Sequence, residues 1–146
     1  QLAVMTSIIA SNGKMIEPTI VKTNGVSFKT NEKYSKEIKI IKKAMFKVVN
    51  ENKGTAFKSR LENVKFAGKT GTSQVRSISL EERESDDFRE KEQEWKNRDH
   101  ALFVGYIPYD DPKYAISVLI EHGGSGASTA APIAKQVFNY INELKV

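Results

Sequence analysis

Ala67-Gly68-Lys69-Thr70-Gly71-Thr72-Ser73-Gln74-Val75 is the stretch whose reading decides the fold of this 146-residue chain. A lysine, two threonines and a bare glycine share a segment that closes on residues suited to a strand. The run reads as a strand over about residues 65–75. Such a segment can hold a carboxylate and an oxyanion side by side, because it offers a cation, hydroxyls and open backbone along one edge. It carries no nucleophile of its own.

Downstream, residues 77–99 form a dense charge run, with nine acids and five bases between Glu81 and Asp99. Phe88 and Trp95 are its main large apolar residues. The run reads as a charged surface insertion with little to bury. Residues 101–106 and 114–121 read as the two strands of a hairpin, with Pro108-Tyr-Asp-Asp-Pro112 as turn chemistry. Ala130, Ile133, Ala134, Val137, Phe138, Ile141 and Leu144 then make an amphipathic helix. Ser128 or Thr129 is its expected cap, and Pro132 fits its first turn.

Upstream, Tyr34, Ile38, Ile41, Met45, Val48 and Val49 recur at helical spacing, predicting a helix over residues 35–53. Ser35 is its expected N-cap and Gly54 its stop. Lys36, Lys39, Lys42, Lys43 and Lys47 cover the other face and read as a solvated surface. Residues 2–11 predict a helix with almost no polar face, hence almost wholly buried, ended by Asn12-Gly13. Residues 14–22, around Pro18, read as an edge strand or irregular extended piece, and residues 23–32 as a loop. The whole predicts one α+β domain over residues 1–146, with an antiparallel sheet of at least three strands packed with helices.

Composition narrows the function. Residues 1–76 hold 15 Lys/Arg against 5 Asp/Glu, and residues 77–146 hold 8 against 13, within a net charge of +5. A basic half beside an acidic half points to complementary faces rather than nucleic acid. The chain has no cysteine, which excludes disulfides, thiolate metal sites and a cysteine nucleophile. No stretch reaches the roughly 18 apolar residues of a membrane span. The chain starts at Gln1 in the midst of an apolar helix, and is expected to be a piece of a longer protein carrying its anchor upstream.

The Lys69 run has three readings. A phosphate-binding loop needs a glycine at position 63, where Asn63 stands, and a helix beginning near Thr70, where Gly71-Thr72-Ser73 follows. Both requirements fail. An ordinary strand with a surface lysine fits the tripeptide Lys-Thr-Gly, which is common by chance. The third reading is the active-site strand of a penicillin-recognising serine acyltransferase. There the N–H of Thr72 points at the developing oxyanion, and Gly71 lets substrate lie against the backbone like an added strand. The hydroxyls of Thr70 and Thr72, with Ser73 beside them, bind the substrate carboxylate. Lys69 supplies positive charge to that carboxylate and to proton transfer.

The resemblance extends beyond this run. Ala67 to Val75, His100-Ala-Leu-Phe-Val-Gly-Tyr-Ile-Pro108, Glu121-His-Gly-Gly124 and Ala130-Ala-Pro-Ile133 resemble the C-terminal part of the penicillin-binding protein 2 family. Gly54-Thr55-Ala56 and Gln1-Leu-Ala-Val-Met-Thr6 are similar to it too. That family comprises the peptidoglycan D,D-transpeptidases of bacterial cell elongation. The resemblance implies that the Lys69 strand, residues 101–106 and residues 114–121 are neighbouring antiparallel strands covered by the last helix. It implies Lys69 and Thr72 as catalytic residues, and Thr70, Gly71, Thr72 and Ser73 as substrate-binding residues. It also implies peptidoglycan stem peptides and β-lactams as ligands, cell-wall elongation proteins as partners, no cofactor and no metal. The implied location is the periplasmic face of the cytoplasmic membrane.

Two family elements are absent. No Ser-x-Asn occurs, and the single Ser-x-x-Lys, Ser11-Asn12-Gly13-Lys14, spans a helix-breaking Asn-Gly. The catalytic version puts Ser at a helix start with Lys one turn on. The piece alone is therefore expected to be inactive, and to self-associate through surfaces its missing part would cover. A β-lactamase-like hydrolase and a binding or scaffold module contacting partners through the acidic insertion remain alternatives. His100 and His122 lack metal-ligand spacing and read as structural or surface residues. Gly123-Gly124-Ser125-Gly126 reads as a flexible loop near the substrate groove, able to hold an anion at the following helix. Trp95 reads as an anchor for the insertion or a partner contact.

Overall fold

The computed structural model describes residues 1–21, 29–30, 32–75, 77 and 94–144. Helix α1 (Leu2–Ala10) leads to a short pair, β1 (Lys14–Met15) against β2 (Lys29–Thr30). Helix α2 (Ser35–Asn50), strand β3 (Ala67–Ser73), strands β4 (His100–Ile107) and β5 (Tyr114–Ile120) and helix α3 (Ala131–Glu143) follow. The central sheet has the antiparallel order β3-β4-β5, so the α+β reading holds. Its register pairs Lys69 with Val104, Thr70 with Phe103 and Thr72 with Ala101. The hairpin closes with Ile107 opposite Tyr114, and the N–H of Lys113 donates to the Ile107 carbonyl at 2.9 Å.

Strand alternation gives the sheet two different faces. Phe103 and Ala101 of β4 point to the face covered by α3, where Phe138, Ala131 and Ala134 meet them in the larger core cluster. Val118 and Ile116 of β5 pack against the same cluster. Phe66 joins the layer edge-on, 5.2 Å from Phe138 and 6.4 Å from Phe103. Gly68 and Gly105, paired across β3 and β4, leave the space that the Phe103 ring occupies. A Cβ at Gly68 would overlap that ring and meet the Val104 carbonyl at 2.7 Å, so this glycine is a packing requirement.

The opposite face is covered at one end only. Ala10 of α1, Met45 of α2, Ala67 and Tyr106 form a second, smaller cluster, flanked by Ile9, Phe46, Tyr109 and Ala115. Beyond it, Leu102 and Val104 are half-buried and Leu119 is 51% exposed.

Helix α1 departs from its expected burial. Only Thr6 and Ala10 are buried, and Leu2 and Met5 stand exposed. One helix face suffices to cover β4 and β5, which leaves Leu2 and Met5 facing outward. Its end is as expected: Asn12 and Gly13 both have positive φ, and their N–H groups donate to Ile9 and Ile8 carbonyls at 3.2 and 2.8 Å.

Helix α2 buries Ile38, Met45 and Val49, as its period requires, but Tyr34 and Ile41 are exposed. The helix stops at Asn50, before the expected residue 53, and Ser35 lies inside it rather than capping it. The Asn50 amide donates to both the Phe46 and Phe66 carbonyls at 2.9 Å, tying the helix end to the approach of β3. Lys42 also departs from the solvated lysine face. It is half-buried, and its Nζ donates to the Ala10 carbonyl and to Asn12 Oδ1, each at 2.9 Å. This is the cation expected at a helix C-terminus, supplied by a second helix.

Neither Ser128 nor Thr129 caps α3. A wide turn over Gly126–Ala130 precedes the helix, and Ser125 accepts the Ala127 N–H at 3.2 Å. Thr129 instead donates to the Gly123 carbonyl at 2.8 Å, and Pro132 sits in the first turn as expected. Most of the loop predicted over residues 23–32 and most of the charged insertion, Phe88 included, lie outside the described residues.

Candidate active site

Among the described strands β3 lies at the sheet edge. Its first two residues, Ala67 and Gly68, are buried; from Lys69 onward it is exposed or half-buried. The strand thus runs from the core to the rim, and the chemistry-bearing residues occupy the rim. Alternation sends Lys69 and Ser73 to the open face, and Thr70 and Thr72 to the face shared with Phe103. The structure brings all four to one strand edge, but on two faces rather than one. Lys69 Nζ donates to the Thr70 carbonyl at 2.6 Å, and Thr70 Oγ1 lies 2.8 Å from Thr55 Oγ1.

Gly71 differs from Gly68. An added Cβ at Gly71 would meet Leu102 Cβ at 3.3 Å, a mild crowding. Packing alone does not demand glycine there, whereas an extended ligand lying against the strand would.

The loop after β5 borders this edge and is tied down, contrary to the flexible loop read from its glycines. The Gly124 N–H donates to the Asp99 carbonyl at 2.8 Å. Gly126 lies directly on the backbone of Gly71 and Leu102, whose carbonyls a Cβ at 126 would strike. His100 and His122 have the structural role expected. The His122 N–H donates to His100 Nδ1 at 2.9 Å, and His122 Nδ1 bonds the Arg98 carbonyl at 3.0 Å. Trp95 packs against His122 with ring centroids 4.6 Å apart and ring planes tilted by 57°, anchoring the segment that enters β4.

Two groups near the covered end of the sheet have shifted ionisation. Burial lowers the Lys42 ammonium below its usual range, opposed by Asp110. Burial, with Tyr109 and Asp110 adding to it, pushes the Tyr106 phenol well above its usual value. The Tyr106 hydroxyl has no hydrogen-bond partner among the described residues. No group of three or more His, Cys, Asp or Glu suited to a metal occurs among the described residues.

Ser11 and Lys14 do not form a nucleophile pair with helical spacing. Asn12 and Gly13 turn the chain between them, and the single Ser11 hydroxyl proton is shared between the main-chain carbonyls of Ile8 and Lys14, 3.3 and 3.2 Å from Oγ. Three contributors to the site escaped the role assignment made from sequence: Thr55, Asp99 and Gly126. Thr55 lay within Gly54-Thr55-Ala56, but only the fold sets it against Thr70. Asp99 Oδ1 accepts the Val75 N–H at 3.3 Å at the far end of the strand.

A three-stranded antiparallel sheet with one face sealed by α3, and an edge strand reading Lys-Thr-Gly-Thr, is the arrangement of a penicillin-binding protein transpeptidase fold. Comparison with known proteins agrees. Residues 1–139 match the family described as the penicillin binding protein transpeptidase domain, and the chain belongs to that family. It is 34% identical to the peptidoglycan D,D-transpeptidase MrdA of Haemophilus influenzae, over 96% of this chain and 23% of that protein. It is 35% identical to MrdA of Acinetobacter baumannii, over 96% of this chain and 21% of that protein. Among solved structures, penicillin-binding protein PBP2 of Helicobacter pylori in complex with MreC superposes with a TM-score of 0.75 at 30% identity. That match covers 97% of this chain and 24% of the other. The chain spans about a quarter of the length of these relatives.

Proposed function

We propose that the chain forms one wall of the active site of a peptidoglycan D,D-transpeptidase, which cross-links stem peptides through a serine acyl-enzyme and is acylated by β-lactams. The single observation that carries this reading is the placement of Lys69, Thr70, Gly71, Thr72 and Ser73 on the exposed rim of an edge strand whose root is locked in the core. A rigid edge with open backbone suits an extended peptide with a terminal carboxylate. The hydroxyls of Thr70 and Thr72 bind the carboxylate, with Ser73 next to them. Lys69 neutralises it and supports proton transfer, and the Thr72 N–H stabilises the oxyanion.

The serine and its base come from outside residues 1–146, because the chain's one Ser-x-x-Lys is broken at Asn12-Gly13. The catalytic centre thus works at the periplasmic face of the cytoplasmic membrane, where peptidoglycan is built, alongside elongation proteins. Among the described residues no helix is long and apolar enough to cross a membrane. The MreC complex of the Helicobacter pylori relative favours a partner of that kind.

The test is acylation of the full-length protein by a fluorescent penicillin. Lys69→Ala is expected to slow acylation by roughly 10²–10³ without lowering Tm, the usual cost of one preorganised electrostatic group. Residues 1–146 alone are expected to take no label. Parent-like acylation of Lys69→Ala, or stoichiometric labelling of residues 1–146, contradicts the assignment.

A further inference from the structure

We propose that Thr55 is a positioning residue for ligand recognition: it donates its hydroxyl proton to Thr70 Oγ1 and so turns the Thr70 proton outward, toward the carboxylate of the bound ligand. This rests on the acyl-transfer reading above and adds a group from outside the strand to it.

The geometry is a hydroxyl pair 2.8 Å apart, in which either oxygen can be the donor. A threonine hydroxyl has one proton and two acceptor lone pairs. A carboxylate only accepts. Once it binds Thr70, the Thr70 proton is committed to it, and the Thr55–Thr70 bond survives only with Thr55 as donor. The two bonds then run in one direction and polarise each other.

Thr55 is well suited to this work because its backbone is pinned on both sides. The Gly54 N–H donates to the Glu51 carbonyl at 2.8 Å, and the Ala56 N–H to the Val48 carbonyl at 3.0 Å. Ala56 is buried in the main core, and Gly54 rests against the last-turn carbonyls of α2 so closely that a Cβ would overlap them. Residues 54–56 are thus held on the α2 terminus, and the Thr55 hydroxyl is aimed at β3. Thr55 itself is exposed and Thr70 half-buried. A hydroxyl bond at that rim competes with water and adds little stability, so its consequence is orientation of Thr70.

The experiment measures acylation of the full-length protein by benzylpenicillin and by benzylpenicillin methyl ester, followed by mass. Thr55→Val is expected to reduce the acylation rate constant for the free acid about three- to tenfold, the value of one ordinary hydrogen bond. It is expected to leave the ester, which has no anionic carboxylate, within about twofold. Thr55→Ser restores the rate, and Thr55→Val adds nothing in a Thr70→Val background. Thr55→Ala provides the same comparison should the valine variant fold poorly. Equal slowing of acid and ester, independent multiplication of the two threonine effects, or a Thr55→Val protein as fast as the parent each overturns the role of Thr55. A parent that takes up no penicillin at all refutes the transpeptidase reading instead, and Thr55 with it.

Discussion

The two faces of the central sheet are built from the same three strands and do opposite things. On the α3 face, Phe103, Phe138 and Phe66 are fully buried, and two facing glycines are given up to seat one ring. On the other face, burial stops halfway: Tyr106 and Ala67 are sealed by α1 and α2, while Leu119 and the Lys69 side chain are exposed. The contrast shows how an edge strand stays rigid while its rim remains open. Rigidity comes from the closed face and from the root of β3; the rim residues proposed for recognition contribute little to the core.

The strongest way to break this comparison is Phe103→Ala. Removing a fully buried ring between two glycines that cannot fill the space is expected to cost about 3–5 kcal/mol, measured by urea unfolding. A cost below about 1 kcal/mol would mean that the closed face is not the stabilising one.

The covered half of the open face gives a smaller, pH-dependent effect. The folded state keeps the Tyr106 proton above the usual tyrosine value of 10.0, where the unfolded chain releases it. The stability Tyr106 contributes is therefore complete below that pH and is lost as pH rises above it. Lys42 has the opposite sign: its lowered value makes the folded state bind fewer protons, so its contribution rises with pH toward 10.5. Tyr106→Phe is expected to flatten the alkaline loss and, by removing a buried hydroxyl without a partner, to change neutral-pH stability by less than about 1 kcal/mol. Thermal melts between neutral and strongly alkaline pH decide it; an unchanged alkaline slope removes Tyr106 as the cause.

The exposed half sharpens the comparison from below. Leu119→Ser is expected to shift stability by no more than about 0.5 kcal/mol, because the side chain is already half in water. A loss of several kcal/mol in the same unfolding assay would show that this face is covered in solution.

Much of this architecture was legible in the residues. Alternation in residues 101–106 and 114–121 around Pro108 and Pro112 fixed the hairpin, and Asn12-Gly13 fixed the end of α1. Local patterns failed where a distant element intervenes. The lysine stripe of α2 gave no sign that Lys42 would be drawn to the end of α1, because helical spacing says nothing about a second helix's free carbonyls. Apolar content marked α1 as buried, but only the sheet decides how many sides of it are covered. In the site, the Lys-Thr-Gly-Thr run announced itself. Thr55, 15 positions before Thr70, and Gly126, far downstream, become partners of that run only through tertiary packing. The split of Lys69 and Thr70 between two faces follows from strand alternation and was available from the sequence once the strand was accepted.

Gly126 has a consequence for how such a site can vary by inheritance. A Cβ there would strike the carbonyl oxygens of Gly71 and Leu102, and main-chain atoms have no rotamer by which to yield. Any side chain at 126 must displace either its own loop or the edge strand. The standing position of the edge strand is thus written partly at a residue that has no side chain. On the proposed reading of β3 as a ligand-binding wall, a lineage under pressure from an inhibitor has there a route to altered affinity that keeps every contacting residue unchanged.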